Sequence, residues 1–105
     1  MWAYLIKQTP FASYHLDSAK DNQILDNRFE QVEQGIIIED DNTLVSSNQF
    51  AATVDLPIRI GSEIREASQA GAIKGTVVRD NVFVDKTTEQ AIKIREASKT
   101  ATRIE

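Results

Sequence analysis

The sequence predicts an α+β domain, a mostly antiparallel sheet of about five to seven strands with two or three helices packed on one face. Apolar and mostly polar residues alternate from 50 to 60, which is the period-two pattern of a half-buried strand. Two short apolar runs flank Asp80 and Asn81, a turn dipeptide that is typical of hairpins. Apolar residues at helical spacing in 22–34 and 87–104 predict helices. A chain of 105 residues has the length of a single α+β domain.

The N-terminal part is expected to contain two strands followed by a helix. Residues 2–8 have apolar side chains on both faces, as in a central strand, and 11–16 read as a second, shorter strand. A helix capped by Asp21 or Asn22 follows, because a short polar side chain can accept a hydrogen bond from a free backbone N–H. Gly35 stands at the left-handed position that commonly ends a helix.

An alternative interpretation of this region places a hairpin turn at 26–27. The helix is preferred because Phe29 and Val32 are three residues apart, which puts them on one face of a helix but on opposite faces of a strand. The next two apolar runs, 35–39 and 43–46, predict a hairpin around a polar turn.

The following segment is expected to run from a long strand through a short helix to a second hairpin. Pro57 lies in the strand 50–60 and cannot donate a backbone hydrogen bond, so it marks an edge, a bulge or a bend. Ser62 can cap a helix over 63–70. The second hairpin covers 76–85 and turns at the Asp-Asn dipeptide named above.

This second hairpin is apolar on both faces, which predicts self-association. Counting outward from the turn places Val78 and Phe83 on one face and the other valines on the opposite face. Monomers seldom leave such a face exposed, so a homo-oligomer is expected. The predicted oligomer interface consists of Val77, Val82 and Val84.

The last predicted helix carries a basic ridge. Thr87 and Gln90 fit a capping box, in which each side chain bonds to the other residue's backbone N–H. Cationic side chains then recur every four residues along one helix face, which is suited to an anion or to a solvated surface. The candidate anion contacts are Arg95, Lys99 and Arg103.

Composition excludes several functional classes. The chain has no cysteine, so disulfides, thiolate metal sites and cysteine nucleophiles are excluded. Residues 1–55 carry three bases and nine acids, whereas 56–105 carry nine bases and seven acids, a polarity that favours head-to-tail contacts or an anionic partner. A pI near 5.0 disfavours nucleic acid as a partner. No apolar run reaches the length of a membrane helix, and a cytoplasmic protein without membrane contact is expected.

No catalytic constellation, cofactor site or metal site is predicted, and the protein is more consistent with a non-enzyme. The single histidine, His15, lies in an aromatic neighbourhood, which is more typical of packing than of catalysis. Glu39, Asp40 and Asp41 lack the alternating acids and the central glycine of a calcium loop. If the sheet bends around a helix to leave a ligand pocket, its lining is expected to include Phe11, Tyr14, His15 and Phe50.

A five-residue segment occurs twice in the sequence, which raises the question of duplication. The pentapeptide Ile-Arg-Glu-Ala-Ser occurs at 64–68 and again at 94–98, and a Val-Asp pair precedes each copy at the same distance. The residues between pair and pentapeptide differ, because they continue a strand in the first copy and begin a helix in the second. Duplication of a strand-plus-helix unit therefore stays open.

One part of the chain resembles a known family. The residues of 60–67, followed by Ile-Lys-Gly at 73–75 and two valines at 77–78, are similar to the strand–helix–hairpin core of AbrB/MazE-type swapped-hairpin DNA-binding proteins. The similarity covers about 30 residues, with Gly61 where the family usually has proline and with an insertion after the helix. It implies a homodimer that contacts DNA through Arg59, Arg65 and Arg79.

Three function classes follow. The first is a small non-catalytic interaction or accessory protein that acts through self-association and binding of another protein, and it is favoured by the doubly apolar hairpin. The second is a small-molecule-binding protein or enzyme with a pocket between a bent sheet and a helix. The third is the swapped-hairpin-like DNA-binding regulator, which the acidic pI disfavours.

Overall fold

All strand pairing in the described part of this protein is parallel, so the predicted antiparallel sheet is wrong. The computed structural model describes residues 4–5, 14–16, 22–68 and 71–105. Its strands form a five-stranded, a four-stranded and a three-stranded sheet. Each pair of neighbouring strands in these sheets runs in the same direction.

The strands are short and are distributed over the three sheets in a regular order. The five-stranded sheet contains β1 (Tyr4–Leu5), β3 (Gln23–Leu25), β6 (Leu44–Ser46), β9 (Thr76–Arg79) and β12 (Thr102–Ile104). The three-stranded sheet contains β4 (Arg28–Phe29), β7 (Gln49–Phe50) and β10 (Val82–Phe83). The four-stranded sheet contains β2 (Tyr14–Leu16), β5 (Gln34–Ile38), β8 (Leu56–Ile60) and β11 (Ile92–Ile94).

The chain winds through these sheets as a solenoid. From β3 it passes to the three-stranded sheet at β4, then to the four-stranded sheet at β5, and returns to the first sheet at β6, beside β3. The next coil repeats this order from β6 to β8, and a further coil runs from β9 to β11. Stacked coils of this kind form a parallel β-helix, in which each coil contacts mainly its neighbours.

The interior of the solenoid is filled by rows of matching side chains. Register pairing stacks Ile24, Val45 and Val78 in one row. A row from the four-stranded sheet, Ile36, Ile58 and Ile92, is also buried. Parallel stacking at about 4.8 Å brings the same side-chain type together in successive coils, which buries apolar surface in a continuous core.

This winding shows that the two predicted hairpins and the first predicted helix are wrong. The strands of 35–39 and 43–46 are present as β5 and β6, but they belong to different sheets. The same holds for β9 and β10, so the chain bends at Asp80 from one sheet to the next instead of reversing. Residues 22–34, predicted to be helical, form β3, β4 and the beginning of β5. The predicted strand 50–60 is divided between β7 and β8.

Helices occur only as short excursions in the described residues. Helix α1 (Glu63–Glu66) lies between β8 and β9, and Ser62 caps it by accepting a hydrogen bond from the Arg65 N–H, so that predicted cap is confirmed. The predicted capping box of Thr87 and Gln90 is also confirmed, at helix α2 (Thr88–Ala91).

The rest of the predicted C-terminal helix is wrong. After α2 the chain forms β11, a 3₁₀ helix (Glu96–Ala101) and β12. None of the helices in the described ranges is long and apolar enough to cross a membrane.

Candidate functional site

A stack of asparagines holds the corner between the five-stranded and three-stranded sheets. The side-chain oxygen of Asn48 accepts hydrogen bonds from the backbone N–H and the side-chain amide of Asn27, at 2.9 and 3.0 Å. Asn48 in turn donates from both nitrogens to the side-chain oxygen of Asn81, at 2.9 and 3.0 Å. The Asn48 amide also donates to the Ile24 carbonyl at 3.0 Å. This asparagine stack thus joins three coils, through buried hydrogen bonds between Asn27 and Asn48 and part-buried ones between Asn48 and Asn81.

A stack of phenylalanines lies next to the asparagines. The Phe29 and Phe50 ring centroids are 4.7 Å apart, and those of Phe50 and Phe83 are 5.3 Å apart. Gly35 was predicted to end a helix, but it lies in β5 against this stack. A Cβ atom there would lie 2.7 Å from the Pro57 carbonyl oxygen and 3.0 Å from the Phe50 ring. Only glycine leaves room for this packing.

A repeated sequence motif accompanies both stacks, and the prediction from the sequence did not include it. An apolar residue, a variable residue, Asp or Ser, then Asn-x-Phe occurs at 24–29, 45–50 and 78–83. The residue before each asparagine has a left-handed backbone, with φ of 58° at Asp26, 61° at Ser47 and 57° at Asp80. This motif is the true structural repeat. The repeated Ile-Arg-Glu-Ala-Ser segments are not equivalent, because one lies in α1 and the other at the end of β11 and the following 3₁₀ helix.

Two ion pairs connect helix α1 to neighbouring coils of the solenoid. The two terminal guanidinium nitrogens of Arg65 donate to the Asp41 carboxylate, at 3.2 and 3.4 Å. The Arg95 guanidinium donates two hydrogen bonds to Glu66, at 2.8 and 3.0 Å. That hydrogen bonding lowers the pKa of Glu66 below its ordinary value of 4.5 and raises the pKa of Arg95. The α1 helix is therefore joined to the coil before it and to the coil after it.

The C-terminal end of the solenoid combines open strand edges with exposed apolar side chains. Strands β10, β11 and β12 are each the last strand of their sheet. Among the described residues, four large apolar side chains are exposed, and three of them, Val82, Val84 and Ile104, lie on or beside these strands. We call the exposed parts of β10, β11, β12 and α2, with the 3₁₀ helix, the C-terminal end surface.

A cleft of about 730 Å³ opens within this surface. It lies between α2, β11, the 3₁₀ helix and β12, so it is the open mouth of the solenoid. Its buried Ile92 belongs to a row that fills the interior, Leu56 and Ile94 are half-buried, and Ile104 is exposed. Its other side chains are polar or charged. The polar and charged side chains that line it include Glu89, Lys93, Lys99 and Thr102.

None of the described residues of the predicted ligand pocket lines this cleft. Phe11 lies outside the described residues. Tyr14 and His15 lie in β2, in register with Ile36 and Ile37. Phe50 is buried inside the phenylalanine stack and does not line the cleft. A ligand pocket at these four positions stays a prediction.

The predicted oligomer interface is brought together only in part. Val82 and Val84 flank Phe83 at the edge of the three-stranded sheet, with 54% and 44% of their surfaces exposed. Val77 lies on the five-stranded sheet, half-buried and in register with Leu44. The role of all three valines in an interface stays a prediction.

The predicted basic ridge is distributed over separate elements. Arg95 bonds to Glu66, Lys99 lies on the 3₁₀ helix 3.0 Å from Glu96, and Arg103 lies in β12 beside Glu105. Anion binding by the three cations stays a prediction. In the part of the chain that the structure describes, no group of three or more acidic or histidine side chains could hold a metal ion.

The fold that the swapped-hairpin resemblance implies is not found. Strands β8 and β9 and helix α1 are present in the expected order, but β9 forms no hairpin with the strand that follows. Comparison with protein-family models, curated proteins and solved structures finds no match to this chain.

Proposed function

We propose that this protein is a non-catalytic interaction protein that acts by self-association and protein binding through the C-terminal end surface. The proposal is carried by one observation, the concentration of exposed Val82, Val84 and Ile104 at the open edges of the sheets. Unpaired edge strands offer backbone donors and acceptors to another chain. Exposed apolar side chains gain about 25 cal/mol per Å² when a partner covers them.

The chemistry of the surface supports binding over catalysis. Its charged groups are lysines, arginines and glutamates at exposed positions, such as Lys93 and Glu89. Within the described residues, no histidine or carboxylate pair is buried in the cleft in the way that acid–base catalysis needs. An apolar rim around an open solenoid end is suited to another protein surface.

Light scattering across concentration tests the proposal. We expect the mass of the wild type to rise above 11.8 kDa with concentration, and Val82→Lys to shift it towards the monomer. Gln49→Lys is the matched control, because Gln49 is exposed and in register with Val82 but lies one strand inside the edge. A wild type that stays at the monomer mass at high micromolar concentration would contradict the proposal.

A second candidate function is small-molecule binding in the cleft. Its volume of about 730 Å³ lies within the range of ligand sites, and its apolar floor is framed by Lys93 and Lys99. Thermal shift against a compound library tests it. A compound that raises the melting temperature of the wild type but not of Thr102→Trp, whose indole would occupy the cleft, would favour this function.

A further inference from the structure

We propose that the partner at the C-terminal end surface is a second copy of this chain, docked head-to-tail through its N-terminal strands β1 and β2. This inference rests on the proposed function, since it names the partner of the same surface. In this contact β12 lies beside β1 of the next copy, and β11 lies beside its β2. The five-stranded and four-stranded sheets then continue from one copy into the next.

Strand order supports this arrangement. β1 and β12 are the two outer strands of the five-stranded sheet, and β2 and β11 are the two outer strands of the four-stranded sheet. All strands in both sheets are parallel. The N-terminal end of one copy therefore meets the C-terminal end of another in the same way that one coil meets the next inside the protein.

The register of the strands defines the contact residue by residue. One row of paired positions runs through Tyr4, Ile24, Val45, Val78 and Ile104. Continuation of this row places Ile104 opposite Tyr4 of the next copy. A second row, His15, Ile37, Arg59 and Lys93, places Lys93 opposite His15 of the next copy in the same way.

Charge along the solenoid favours the same orientation. The coil over residues 22–42 contains one base and six acids, whereas 86–105 contains five bases and three acids. The acidic coil is separated from the N-terminal strands by one strand spacing, about 4.8 Å. Since the Debye length at physiological salt is about 8 Å, its field reaches across the contact to the basic end of the next copy.

Contact between two C-terminal ends is disfavoured by the same charges. A two-fold arrangement would bring two basic ends together, each carrying Lys93, Lys99 and Arg103. A head-to-tail contact avoids this repulsion, and because it does not close on itself it produces open chains of copies.

Single-cysteine cross-linking tests the orientation, and the natural chain contains no cysteine that could interfere. Tyr4→Cys and Ile104→Cys are purified separately, mixed and oxidised. Neighbouring parallel strands are about 4.8 Å apart, within the Cα separation of a disulfide. We expect a cross-linked dimer from the mixture and none from either variant alone. His15→Cys with Lys93→Cys repeats the test on the four-stranded sheet if Tyr4→Cys does not fold.

The outcomes separate this inference from the proposed function. If Ile104→Cys alone cross-links as efficiently as the mixture, the C-terminal ends meet each other and the head-to-tail inference is overturned. If light scattering shows oligomers but neither mixture cross-links, the partner's N-terminal strands are not the contact, which also overturns it. A wild type that scatters as a monomer removes the proposed function and this inference together.

Discussion

Asn48 connects three coils of the solenoid through its side chain and its backbone N–H. Its amide and backbone bond to Asn27, Asn81 and the Ile24 carbonyl, and all of these groups lie at one corner of the solenoid. Asparagine suits this position because it has both a donor and an acceptor and each can face a neighbouring coil. Removal of the amide takes a hydrogen-bond partner from the buried Asn27 N–H and from the Ile24 carbonyl.

We expect Asn48→Ala to lower the free energy of unfolding by about 2–4 kcal/mol, since each buried polar group that loses its partner costs about 1–3 kcal/mol. Gln49→Ala, the exposed neighbour, should change it by less than about 0.5 kcal/mol. Urea denaturation of both variants checks this prediction. Equal stability of the two variants would show that the asparagine stack contributes little.

Local chemistry was predictable from the sequence at the residue scale, but contacts between coils were not. The caps at Ser62 and Thr87 depend on neighbouring backbone groups, and the sequence predicted both. The roles of Asn48 and Phe50 depend on residues 21 and 33 positions away. The Asp80-Asn81 turn was expected to have a left-handed backbone at both positions, but only Asp80 has one, and the bend there leads to another sheet.

At the element scale, the ion pair that attaches α1 is expected to depend on pH. Glu66 of this helix forms an ion pair with Arg95 and has a lowered pKa. A carboxylate with a lowered pKa in the folded state stabilises the protein above its unfolded pKa, and that contribution is lost as pH falls through the folded value.

We therefore expect Glu66→Gln to lower the melting temperature at pH 7 and to have a smaller effect as pH falls below about 4.5, the ordinary pKa of the group. Glu33→Gln, at an exposed position outside α1, is the control and should show a smaller difference at pH 7. Thermal denaturation of the three proteins between pH 3 and pH 7 measures the effect. A difference that stays constant over this range would show that the ion pair does not stabilise α1.

At the scale of elements, the sequence predicted where most strands after residue 34 lie, but not which strands pair with each other. Alternation of apolar and polar residues is the same in parallel and antiparallel strands. The sequence therefore predicted correctly that β9 and β10 are extended, but the prediction paired them wrongly with each other. The Asp-Asn dipeptide between them also occurs in hairpin turns. Helix prediction over 22–34 failed because apolar spacing of three residues can also arise across a bend between two short strands.

At the scale of the molecule, the described residues form repeating coils of unequal length, and this irregular spacing concealed the repeat in the sequence. Phe29 and Phe50 are 21 residues apart, but Phe50 and Phe83 are 33 apart because the chain makes the α1 excursion between them. The motif therefore does not recur at a fixed period in the sequence. The C-terminal end surface was not predictable either, since only the order of strands in the sheets shows which of them are edges.

Disulfide formation between two engineered cysteines tests the parallel β-helix most directly. Leu44 and Val77 are register partners in β6 and β9, whereas the antiparallel hairpin predicted from the sequence pairs Val77 with Val84. The two double variants share the cysteine at 77, and the natural chain contributes no other. The β-helix predicts that Leu44→Cys/Val77→Cys oxidises readily within one folded chain, while Val77→Cys/Val84→Cys stays reduced. Rapid oxidation of the second variant and not of the first would contradict the fold.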